Sequence, residues 1–148
     1  MQPPSYSVPL EQGAPFVLRP ANPAAGASLT IPVPAHARWR FEHVRFTLAT
    51  AVGGAVRTPT FRANDATGVF AQLEPNGTQA ASLTRTWHFM AQESFIIFTS
   101  GANIYTPMPP RFVLLPGMDL QILIQTIQAG DQISDVLTYG RQWAERSE

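Results

Sequence analysis

Between residues 38 and 50 the chain reads RWRFEHVRFTLAT, and its apolar side chains fall on every second position. Trp39 and Phe41 share one parity, while Val44, Phe46 and Leu48 share the other. Alternate side chains of a strand project to opposite faces, so this run predicts a strand with one buried face. The parity changes around Glu42–His43. An inserted residue shifts the phase of a strand in this way, which predicts a β-bulge there.

The same period continues through the chain. ASLTIPV (27–33) alternates weakly and is followed by a PAHA turn. VRTPTFRAND (56–65) reads as a short strand, and its Pro59 predicts an edge position because proline cannot donate to a ladder. DATG then turns the chain into VFAQL (69–73), giving a hairpin that closes at EPNG. In SLTRTWHFM (82–90), Leu83, Arg85, Trp87 and Phe89 share one face, and Ser82, Thr84, Thr86 and His88 the other. ESFIIFTS (93–100) is nearly continuous in apolar character, as in a strand covered on both faces.

GANIYTPMPP reads as a loop that exposes Tyr105 and Met108. RFVLL (111–115) and MDLQILIQTI (118–127), joined by Pro116–Gly117, read as a second hairpin. ISDVLTYG (133–140) reads as the last strand, followed by a polar tail in which QWAERS could form at most a helical turn. Eight or nine short strands at this spacing predict an all-β fold, an antiparallel β-sandwich of jelly-roll type. The domain spans 29–148 and is preceded by an extended Pro-rich arm over 1–28.

Composition sharpens the reading. Charged residues make up 14% of the chain and the formal net charge is zero, against about 25% charged in ordinary soluble domains. Such a surface is poorly protected against association, so much of it is expected to be covered by other protein. All ten basic residues are arginine. This removes lysine chemistry and suits packed interfaces, although a compositional bias of the genome would produce the same pattern. There is no cysteine, hence no disulfide framework or thiolate metal site. No signal-peptide pattern and no apolar run near the ~20 residues of a membrane span is present, so a soluble chain made in a reducing cytoplasm is expected. The scattered charges form no basic stripe for nucleic acid.

Candidate chemistry is sparse. His36, His43 and His88 each stand alone in sequence, without the His-x-His spacing a β-scaffold metal centre uses. They read as surface or hydrogen-bonded histidines, and an enzyme would need them to converge on a carboxylate. The four aspartates sit in turn contexts and need no further role there. No nucleophile elbow or glycine-rich phosphate loop occurs. No catalytic residue, cofactor, metal or small-molecule substrate is expected. Trp39 and Trp87 read as core, whereas Trp143, beyond the last strand, reads as exposed or as a partner contact.

The arm carries the strongest suggestion. Eight of the fourteen prolines lie within the first thirty-four residues, where Glu11 and Arg19 are the only charges. Prolines keep such a segment extended and lower the entropy lost on docking. Tyr6, Val8, Leu10 and Phe16 are its candidate anchors, either in a neighbouring subunit or along an edge of its own sandwich. Tyr105, Met108 and Trp143 complete the candidate partner-binding residues.

VPAHARWRFEHVRFTLAT, NGTQAASLTRTW and LLPGMDLQILIQTIQAGDQISDV together cover about residues 27–139. Their strand phrasing and turns resemble small β-sandwich virion structural proteins of tailed bacteriophages. The resemblance implies a non-enzymatic decoration or cement protein on the capsid exterior, synthesised in the host bacterial cytoplasm. It would oligomerise, as a trimer, over capsomer junctions and contact the major capsid protein, with the arm as a strap. The alternative is a carbohydrate- or receptor-binding module of a head or tail fibre, displaying an aromatic cluster of Tyr105, Met108 and Trp143.

Overall fold

The computed structural model describes residues 13–75, 77–91, 98–109 and 111–144, with backbone alone at 98 and 99. It is all-β, with two sheets packed as a sandwich. The strands are β1 (Ala14–Leu18), β2 (Leu29–Pro32), β3 (Ala37–Ala49), β4 (Thr58–Asp65), β5 (Gly68–Leu73) and β6 (Thr84–Ala91). They continue as β7 (Phe98–Ser100), β8 (Asn103–Met108), β9 (Val113–Leu114), β10 (Asp119–Gln125) and β11 (Gln132–Ala144). The larger sheet runs β1-β11-β3-β6-β8-β7, with β9 beside the start of β3; the smaller runs β2-β10-β4-β5.

Alternation places the core between the sheets. Phe41, Val44, Phe46, Leu48, Trp87 and Phe89 face inward from the larger sheet, and Ile31, Phe61, Leu120, Ile122 and Ile124 from the smaller. Phe61 joins the two layers, with ring centroids 6.4 Å from Phe41, 5.6 Å from Phe89 and 5.5 Å from Phe112. These separations suit offset and edge-on aromatic packing.

The expected bulge is present. Tyr139 pairs with His43 and the next residue, Gly140, pairs with Phe41, so Glu42 is the extra residue of β3. Glycine at 140 is required by crowding: a Cβ there would lie 2.1 Å from the Arg40 carbonyl oxygen. The β4–β5 hairpin also forms as expected.

Several expectations are corrected. β4 lies between β10 and β5 rather than at an edge. Its Pro59 is tolerated because the β5 ladder stops at the Phe61–Leu73 rung, leaving Thr58–Thr60 paired with β10 alone. The segment read as a loop at 103–108 is β8, which runs parallel to β6. Met108 is consequently a core residue, 1% exposed, and not a surface contact. Residues on either side of Pro116–Gly117 do not pair with each other: β9 joins β3, and β10 crosses into the other sheet. The last strand extends to Ala144, so the first half of the expected polar tail, 141–144, is ladder, and 145–148 lie outside the described residues. Of the apolar run 93–100, residues 93–97 lie outside the described residues, and its end, β7, is an edge strand.

Candidate functional site

Side chains that β3, β6, β8 and β11 do not turn inward line the outer face of the larger sheet. One register row contains Leu137, Arg45, His88 and Tyr105 on four successive strands. The next row contains Thr47, Thr86 and Asn103. His43 lies diagonally from His88, close enough for the rings to interact. These rows bring together residues that the sequence keeps far apart.

His43, His88 and Tyr105 form a continuous stack. Centroids are 5.4 Å apart between the imidazoles, with planes 19° from parallel, and 4.6 Å apart between His88 and Tyr105. His43 Nε2 lies 3.2 Å from His88 Nδ1, and His88 Nε2 lies 3.1 Å from Asn103 Oδ1. Because the amide oxygen can only accept, His88 donates from Nε2 and receives at Nδ1 the proton-bearing Nε2 of His43. Burial, together with repulsion from His88 and Arg45, holds the His43 pKa below the ordinary histidine value.

Beside this stack lies an open recess of about 270 Å³ lined by Arg45, Thr47, Thr86, His88, Asn103 and Asp135. The Thr47 and Thr86 hydroxyls are 3.2 Å apart. Asp135 arrives through a second bulge, since three steps from Ser134 to Leu137 oppose two from Thr47 to Arg45. It adopts φ of 50°, a left-handed conformation that aspartate, like asparagine, visits more readily than most residues other than glycine. Arg45 is half-buried and makes no hydrogen bond or ion pair with a described residue.

The sequence-derived partner residues fall in different places. Tyr6, Val8 and Leu10 lie outside the described residues. Phe16, on β1, stacks on Trp39 of its own chain at 4.9 Å and packs against the core. Tyr105 belongs to the histidine stack. Trp143 is half-buried at the end of β11, with the guanidinium groups of Arg38 and Arg40 at 5.0 and 5.6 Å from its ring centroid. Met108 is in the core, so the three residues form no common aromatic cluster.

His36 is exposed and borders a different recess with Trp143. His36 is thus a surface histidine, and His43 and His88, alone in sequence, are hydrogen-bonded to each other through the sheet register. Among the described residues, no group of three or more His, Cys, Asp or Glu side chains could hold a metal ion. No helix among them is long and apolar enough to cross a membrane.

No protein-family model and no curated protein matches the chain. Among solved structures, a chain from "Structure of infectious bursal disease virus Gt strain" aligns with 88% of this chain at 13% identity and a TM-score of 0.27. The present chain spans 28% of that one. A superposition this loose carries no functional argument.

Proposed function

We propose that this chain is a non-enzymatic virion structural protein that decorates or cements a bacteriophage capsid. In this reading it associates with copies of itself, as a trimer, over capsomer junctions on the capsid exterior and contacts the major capsid protein. The observation that supports the reading best is the free edge of the smaller sheet. β5 ends that sheet, and its sequence GVFAQL contains neither charge nor proline. Val69 is 51% exposed and Phe70 47% exposed, as successive residues of this strand.

Unpaired strand edges invite pairing with other chains, and proteins that remain monomeric usually blunt them with charge, proline or a covering element. β5 has none of these three among the described residues; Phe70 is the extra residue of a bulge opposite Ala63–Asn64, which twists this edge but leaves it uncharged. A neighbouring subunit would bury its apolar residues and satisfy its outward backbone groups. Many weak contacts of this kind on a lattice give avidity without high affinity at any one. The low charge of the chain is consistent with such a covered surface.

The test compares the full chain with a Val69→Glu, Phe70→Glu double variant by sedimentation. The native chain is expected to sediment as an oligomer and the variant as a folded monomer. An oligomer unchanged by both charges would remove β5 from the interface and withdraw the main support.

A further inference from the structure

The polar recess on the larger sheet lies on a different sheet from the β5 edge, and the assembly reading gives it no role. Its contents are unusual for a solvated strand face. Arg45 presents a half-buried guanidinium with no carboxylate partner among the described residues. Asp135 lines the same recess and forms no ion pair with it. A bulge and a left-handed backbone position hold this carboxylate there, and bulges are a common way to re-aim a side chain beside a site.

We propose that this recess binds a monosaccharide carrying one carboxylate, a uronic acid, with Arg45 taking the carboxylate and Asp135 accepting hydrogen bonds from ring hydroxyls. The guanidinium offers a planar fork of donors matched to a carboxylate. The Asp135 carboxylate favours hydroxyl donors and disfavours a second negative charge, which selects against phosphate monoesters. Thr47 and Thr86 can each turn a hydroxyl toward the ligand, and Asn103 keeps its amide N–H groups after its oxygen has accepted from His88. The lining side chains are all polar and give an apolar ligand little to bury against. The volume of about 270 Å³ suits one sugar ring, at the lower end of the ~300–1,000 Å³ common for small-molecule sites.

The experiment is a calorimetric or NMR titration of the full chain with D-glucuronate, set against D-glucose and acetate. Saturable binding of glucuronate is expected, tighter than either comparison ligand by about tenfold or more. Arg45→Ala should abolish it, and Asp135→Asn should weaken it. Arg45→Lys, which keeps the charge without the fork, should bind more weakly than the native chain and supplies the same readout if the alanine variant does not fold. Equal binding of acetate and glucuronate would show a general anion attraction and overturn the proposal. So would the absence of saturable glucuronate binding, or binding indifferent to Arg45. None of these results depends on whether the chain assembles.

Discussion

Arg57 and Asp131 meet in the interior, while Arg45 and Asp135 face one recess without touching. In the first pair both side chains are fully buried, and the guanidinium gives two hydrogen bonds to the carboxylate, from Nε at 2.9 Å and Nη2 at 3.0 Å. Four of the five guanidinium N–H groups and all four carboxylate positions are used. Arg57 also donates to the carbonyls of Gly53 and Ala55, and Asp131 accepts from the backbone N–H groups of Ala51 and Gln128. The pair therefore ties the 50–57 connection to the turn before β11. In the second pair, whose aspartate lies four residues beyond Asp131, neither charge has been committed to a described residue. The same two residue types build a fold where they are sealed and satisfied, and leave a site where they are open and unspent.

The contrast predicts unequal responses to mutation. Asp131→Ala leaves a buried guanidinium without its counter-charge, which costs about 3–5 kcal/mol. Denaturant titration should show a large fall in midpoint, and a loss below about 1 kcal/mol would contradict the account of the buried pair. Gln79 supports the same region: it accepts from the Trp87 indole N–H and donates to the carbonyls of Leu48 and Leu83. Gln79→Leu should cost about 1–3 kcal/mol, because buried partners lose their bonds. Trp87 fluorescence should report the change directly.

Acidification separates the regions again. His43 has a folded-state pKa below its unfolded one, so the unfolded chain binds the proton more readily. Stability should be full above the ordinary histidine range and decline as the pH falls through it. His43→Gln should remove that part of the decline. Burial raises the pKa of Asp131, yet the hydrogen bonds from Arg57, Gln128 and Ala51 outweigh it and the net shift is downward. Its contribution is present above the ordinary carboxylate range and is lost only in stronger acid, as the pH falls toward the lowered folded value. The smallest effect belongs to the open pair. Arg45→Ala and Asp135→Asn should each change stability by no more than about 0.5 kcal/mol. A larger loss would show that the recess is part of the scaffold.

The sequence was most informative where structure is local. The parity change at Glu42 marked the bulge because a strand as long as β3 records its phase in its own residues. The β4–β5 hairpin was similarly legible from a turn and two short runs. β8 was hidden because buried Thr106 occupies a core position between Ile104 and Met108, and the prolines after Tyr105 suggest a loop. Pro116–Gly117 announced a turn but not where the chain would pair afterwards. That choice depends on distant partners, which no local window contains.

The candidate site was less visible for the same reason. His43 and His88 are 45 residues apart, and Arg57 and Asp131 are 74 apart. Spacing rules for ligands assume neighbours on one element, whereas these groups meet only through sheet register. Asp131 and Asp135 looked alike as turn aspartates. Burial separates them, and burial follows from which strand covers which.

The role proposed for the whole molecule depends on association through the β5 edge, which no described strand pairs. Its most direct test is the native mass of the full chain in solution at micromolar concentration. The account predicts a closed oligomer, a trimer, that dissociates when Val69 and Phe70 are replaced by glutamate. A native chain that remains monomeric throughout that range would contradict it.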